Sequence, residues 1–184
     1  MKRRKIVNSV IAILVVCVFV VATADIALAK KGNKPNKFLY AAKVVCGEDD
    51  LGFSEQVIPG VYSTSVNILN PNATAVTITK RLSLSFPPEE QEPGEVSGTI
   101  EDELEPYEAL QVDCREIPAE FFPGIKDLPT YVEGVLIIEC AQEVDVSAVY
   151  TVGERQDDLV TVRSIDVEQV QGRQIASHGL RKKD

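Results

Sequence analysis

Apolar side chains in this chain recur at every second position, segment after segment, and that period leaves few folds open. In residues 61–70, Tyr62, Thr64, Val66, Ile68 and Asn70 share one face, with Val61, Ser63, Ser65, Asn67 and Leu69 on the other; the apolar residues concentrate on the first set. In residues 74–86, Val76, Ile78, Leu82, Leu84 and Phe86 alternate with Thr77, Thr79, Arg81, Ser83 and Ser85. Successive side chains of a pleated strand point to opposite faces, so the pattern predicts half-buried strands. Lys80 breaks the apolar face of the second segment, and a bulge or an edge position there would resolve it.

Further strands are expected over 38–46, 96–104, 108–114, 131–141, 144–153 and 159–170. The segment "YVEGVLIIECA" is the most apolar and is expected to be central. Asn70-Pro71-Asn72 reads as a hairpin turn, since proline presets its own φ and asparagine tolerates the left-handed conformation. Three prolines in "REIPAEFFPGIKDLPT" mark a long connection with one short helical turn near residues 116–122. No segment holds a helical period. The expectation is therefore an all-β chain: an antiparallel β-sandwich, immunoglobulin-like or transducer-like, of about seven or eight strands. It occupies residues 38–171, after a basic linker at 30–37 and before a polar flexible tail at 172–184.

The N-terminus reads as a signal helix over residues 1–29. A basic "MKRRK" precedes an apolar run at 9–24, and small-x-small sites end at Ala24 and Ala29. Cleavage at Ala29 or at Ala24, or retention as a membrane anchor, stay open. The expected location is secreted, periplasmic or cell-surface. Loss of residues 1–29 moves the formal charge from -9 to -12. An acidic surface does not neutralise phosphates, so nucleic acid is not an expected partner. Cys17 leaves with the signal, and Cys46, Cys114 and Cys140 remain. An odd number allows one internal pair. Cys46–Cys114 is preferred because both residues end strands on apolar positions before polar loops; Cys114–Cys140 is the rival, and Cys140 otherwise reads as a buried small hydrophobe.

Catalytic chemistry finds little support. The single histidine, His178, lies in the polar tail, so neither a hydroxyl nor a thiol nucleophile has a base. Carboxylates cluster at 48–50, 89–92, 101–103 and 157–158. Calcium is the sharper reading of such clusters, but none matches the spaced Asp-x-Asp-x-Asp-Gly loop, and no metal or cofactor is expected. Asn72-Ala73-Thr74 is a sequon, which makes Asn72 a candidate glycosylation acceptor.

Two blocks, "TSVNILNPNATAVTITK" and "YVEGVLIIECAQEVDVSAVYT", resemble the sensory rhodopsin transducer-like β-sandwich proteins. Residues 37–171 are also similar to a group of uncharacterised secreted prokaryotic proteins, with "PGVYSTSVNILNPN" and "SIDVEQV" as the distinctive words. The resemblance implies a sandwich, self-association and a binding role. The signal and the cysteines depart from the cytosolic transducers, so a photoreceptor partner is not implied. The expected function is a secreted, non-catalytic β-sandwich that binds a protein or small-molecule ligand at the cell envelope. Two alternatives stand beside it: a glycan hydrolase using carboxylates such as Glu101 and Asp113, and a structural envelope protein that assembles through its sheet edges.

Overall fold

The computed structural model describes residues 37–49, 58–86, 92–125, 129–157 and 159–175. All belong to one unit, residues 35–184. The apolar N-terminal run, its cleavage sites and His178 lie outside the described residues. The described elements are β1 (Lys37–Asp49), β2 (Gly60–Leu69), β3 (Val76–Ser85), β4 (Pro93–Val96), β5 (Ile100–Leu104), β6 (Ala109–Asp113), a π-helical turn (Ile117–Phe121), β7 (Tyr131–Cys140), β8 (Asp145–Gln156), β9 (Leu159–Val170) and β10 (Arg173–Ile175). Every pairing is antiparallel. The expected all-β class is the one observed, with ten strands among the described residues against about seven or eight expected. The added count comes from a loop and a tail: Pro93–Val96, which form β4, lie almost wholly before the strand expected over 96–104, of which Ile100–Leu104 form β5, and Arg173–Ile175, assigned to the flexible tail, pair with Lys37–Leu39.

The strands form two layers. Sheet I runs β5 and β4, then β3, β7 and β1, with β10 beyond; sheet II runs β6, β2, β8, β9. β7 is central in sheet I, as its apolar sequence predicts. The layers join where Gly47–Asp49 of β1 pair with Gly60–Tyr62 of β2. Past that corner the two strands part, and β1 follows β7 while β2 follows β8. The predicted alternation holds: Val66 and Ile68 of β2, Val76, Ile78 and Leu82 of β3, and Leu136 and Ile138 of β7 are buried between the layers. Ile117, Phe121 and Phe122 from the π-helical turn complete the core.

Lys80 corrects a local expectation. The register of β3 with β5 and β7 runs through it without a bulge, and it has strand neighbours on both sides. Its stem lies in the core-facing row, and its ammonium reaches Asp102 Oδ2 at 2.8 Å at the open side of the sandwich. A long stem can bury its methylenes and still place its charge at a polar rim.

Residues 70–75 also differ from expectation. β2 and β3 do not pair, so the segment is an arch between layers and not a hairpin. Asn70 is fully buried at its start. Its Nδ2 donates to Thr74 O (2.9 Å), Leu104 O (3.0 Å) and Glu105 O (3.1 Å), while its Oδ1 accepts from Asn72 N (2.9 Å). Its backbone N–H donates to Glu108 O, and its own carbonyl accepts from Tyr107 N. The arch is thereby fastened to the β5–β6 connection, which also crosses between layers. Tyr40 adds a third tie at this end, its hydroxyl accepting from Val144 N at 2.9 Å.

Asn70→Ala leaves three carbonyls without their side-chain donor, two of which belong to the other crossing. It is expected to lower unfolding free energy by about 3 kcal/mol, the scale of buried polar groups stripped of partners. Urea denaturation followed by circular dichroism measures this, and a loss below about 1 kcal/mol would show that the arch holds without the amide.

Candidate functional site

The cysteine pairing is settled in favour of Cys46–Cys114. The two are disulfide-bonded with Cα atoms 5.6 Å apart, while Cys140 is free and buried. The bridge joins β1 of one layer to the residue after β6 of the other, close to the corner where the layers diverge. Thr64 lies beside it: its hydroxyl accepts from Val45 N and donates to Val45 O, both at 2.9 Å. It thus satisfies the edge of β1 where β2 has already turned away. Gly47, at φ +103°, makes the corner; a Cβ there would sit 1.7 Å from Thr130 O. Burial pushes the Cys140 thiol up to about 11, and its sulfur is 2.9 Å from Gln142 O. A thiol held protonated is a poor nucleophile, which fits its reading as a small core residue.

Asn72 is partly buried. Its Nδ2, the atom a glycan would occupy, donates to Asn70 Oδ1 at 3.0 Å and to Glu143 O at 2.8 Å. Thr74 Oγ1 makes a parallel contact with Gln142 Oε1 at 3.2 Å. The sequon side chains therefore bind the arch to the β7–β8 turn.

The carboxylates named for hydrolysis are not brought together. Glu101 pairs with Thr79 on the outward row of β5 and is exposed. Asp113 ends β6, where hydrogen bonds from the Arg115 side chain and backbone hold its carboxyl below the usual range. A cleft of about 470 Å³ does open on this side, bordered by Lys80, Asp102, Asp113, Arg115, Glu116 and Glu120. Of its four acids, Asp102 is paired to Lys80 and Asp113 to Arg115, and the Glu116 carboxyl is pushed up by burial, against the pull of Lys80 and with help from Asp113 and Glu120. Among the described residues no group of three or more His, Cys, Asp or Glu is placed to hold a metal ion.

The two outer faces of the sandwich differ in kind. Sheet I carries charge across its middle: Lys43 pairs with Glu133, and Glu139 receives Arg81 at 3.5 Å and Lys37 at 3.9 Å. Glu133 is pushed up by burial, but Lys43 and a hydrogen bond from Tyr131 outweigh that and hold it below the usual range. The outer row of sheet II is different. β2 contributes Ser63, Ser65 and Asn67, paired with Thr151, Val149 and Ser147 of β8. Charge enters only at its margins, with Asp113 ending β6, Asp145 opening β8 and Arg155 near the end of β8, bonded to Glu48 at 2.8 Å.

β9 extends this face. Val146 and Val170 are paired and both buried, which fixes the inward row. On the outward row, Val149 pairs with Val167 and Thr151 with Ile165; then the register slips by one, and Gly153 pairs with Val162 and Arg155 with Val160. The extra residue is Arg163. Simple alternation would put Val160 and Val162 on the face opposite Ile165 and Val167; the bulge puts all four on the same outward face. They are 44%, 55%, 64% and 64% exposed. The inward row of β9 carries Ser164, Asp166 and Glu168, all exposed. The strand thus turns its apolar side away from its own core. The sequence reading took this segment for an ordinary closing strand. Its signal was the β-branched pairs Val160/Val162 and Ile165/Val167 on either side of "RS", out of step by one position.

No family model matches the chain, and no curated protein matches it. A solved structure, that of Thermotoga maritima 1070, aligns over 76% of this chain and 95% of its own with 14% identity and a TM-score of 0.42. A likeness of that size carries no argument about function.

The cleft yields a pH prediction. Glu116 titrates above its unfolded value, so its contribution to stability is full below the usual glutamate pKa and is lost as pH rises through the folded value. Glu116→Gln stays neutral throughout. Its urea midpoint minus that of the wild type is expected to increase from pH 4 to pH 8, and a difference independent of pH would contradict a desolvated carboxylate here. The disulfide closes a 68-residue separation. Cys114→Ser in the Cys46→Ser background is expected to cost nothing further, while either single change lowers stability by up to about 4 kcal/mol on the loop-entropy scale.

Proposed function

We propose that this protein is a non-catalytic β-sandwich, exported to the cell envelope, that works by binding a partner across the outer face of sheet II. The observation that carries this reading is the uncharged face itself. In a chain with 26% charged residues, a row of four exposed aliphatic side chains beside an uncharged Ser, Thr and Asn surface is costly to leave in water. Exposed apolar patches of this kind mark interaction sites. Export draws support from the basic and apolar N-terminal sequence and from the Cys46–Cys114 bridge, which suits an oxidising compartment.

Hydrolysis by paired carboxylates is the weaker reading, since Glu101 and Asp113 point apart and Asp113 is tied to Arg115. An array of envelope proteins and glycans, probed with the wild type and with Val162→Asp/Ile165→Asp, separates the two. Binding that the double variant loses is expected, alongside no glycan turnover. Turnover abolished by Glu116→Gln would sink the binding reading.

A further inference from the structure

We propose that the polar cleft at the open side of the sandwich binds a free basic amino acid, its carboxylate on Lys80 and its side-chain ammonium on Glu116 and Glu120. This site is separate from the outer face of sheet II and stands whether or not that face takes a partner.

The first argument is Lys80. It occupies the core-facing row of β3 between Ile78 and Leu82, where an aliphatic side chain would fill the space. Only 6% of it is exposed. Its ammonium lies 2.8 Å from Asp102 Oδ2, yet that buried oxygen makes no hydrogen bond. The contact pairs two charges without aligning an N–H on the oxygen, so the ammonium keeps donors unspent. Apolar packing commonly matches a buried ion pair in stability, and a buried donor without an acceptor is costly. Lys80 borders the cleft, and a ligand carboxylate entering there supplies the missing acceptor.

The second argument is the charge left over. Two cations, Lys80 and Arg115, border the cleft with four carboxylates. The pairs Lys80–Asp102 and Arg115–Asp113 use both cations. Glu116 and Glu120 remain, and among the described residues neither is in an ion pair. Burial, and after it the like charges of Asp113 and Glu120, push the Glu116 carboxyl up against the pull of Lys80. That is the response of a carboxylate short of a countercharge.

The third argument is shape. About 470 Å³ lies within the roughly 300–1,000 Å³ range of small-ligand sites. Lys80, Ile100 and Asp102 line it from sheet I, while Asp113 and the residues after it line it from sheet II. A ligand must therefore offer an anionic oxygen to one wall and a cation to the other. Ile100 and Ala119 give apolar contact to the methylenes between them. A basic amino acid has these parts, and its net positive charge opposes that of the cleft. A phosphate or dicarboxylate meets Glu116 and Glu120 with like charge, and a plain diamine leaves Lys80 unanswered.

Equilibrium dialysis of the full chain, produced in a bacterial host that exports it, against isotope-labelled L-lysine tests the site. One equivalent is expected to bind with a Kd below about 1 mM. L-Glutamate is expected not to compete, and Nα-acetyl-L-lysine methylamide, which lacks the free carboxylate, to bind at least about tenfold more weakly. Lys80→Met keeps the stem and removes the ammonium; Glu116→Gln/Glu120→Gln removes both carboxylates of the other wall. Each is expected to weaken L-lysine at least about tenfold. Glu101→Gln/Glu103→Gln, on the outward row of β5, is expected to bind as the wild type does. Equal weakening by that control would reduce the effect to general attraction by an acidic surface and overturn the site. Unchanged binding in a folded cleft variant, or no saturable binding of L-lysine, would overturn it as well. Equal affinity for the capped lysine, or competition by L-glutamate, would overturn the ligand class. Thermal midpoints show which variants fold; should Lys80→Met fail, the glutamine pair decides, since neither of its positions is in the core.

Discussion

One amide nitrogen holds three strands' worth of chain in place. Asn70 has two N–H bonds and serves three carbonyls, on Thr74, Leu104 and Glu105, from a position with no solvent access. A chain that crosses between sheets must abandon its ladder partners at each crossing, and the stranded backbone groups need others. Here two crossings, after β2 and after β5, supply those partners to each other through one side chain. Asn72 and Thr74 extend the arrangement to the crossing after β7. The three connections at this end are held by side-chain amides where helices or ladders would ordinarily serve.

The other end is built on different chemistry. Gly47 bends β1 into the corner, Thr64 covers the backbone of Val45, and Cys46–Cys114 ties the layers covalently. Between the two ends lies a core of β-branched and leucine side chains from both sheets. Among the described residues Lys80 is the one long cation in that inward row, and its pairing with Asp102 borders the polar cleft on the open side. The division follows the cost of each element. Buried backbone needs partners at the closed end, while a corner with diverging strands needs a link that distance cannot break.

Much of this was legible from residue order. The period of two located β2 and β3 and assigned their buried rows correctly, because a strand with one buried face cannot slip by one residue without exposing it. The cysteine pair followed from strand ends and apolar facing. Pairing partners were not legible: Asn70-Pro71-Asn72 has the same turn chemistry whether the next strand returns beside β2 or crosses to the other layer. Lys80 misled because its charge, read alone, demanded an irregular backbone, whereas Asp102 on the neighbouring strand, two residues from the register partner of Lys80, meets the need. The apolar outer face of β9 was hidden for a related reason. Its apolar strip is created by a bulge, and alternation counted along residues 159–170 scatters the same four side chains over two faces.

That bulge gives the surface an unusual evolutionary lever. Drawing Arg163 into the ladder opposite Gly153 would restore strict alternation along β9 and carry Val160 and Val162 to the opposite side, splitting the strip in half. The core would not change, since Val170 and the inward row of β8 lie on the far side of the slip. Register slips normally damage a sheet in proportion to the pairings they disturb. In an edge strand with one neighbour, a slip of one residue can rearrange the exposed surface while the fold beneath stays as it was.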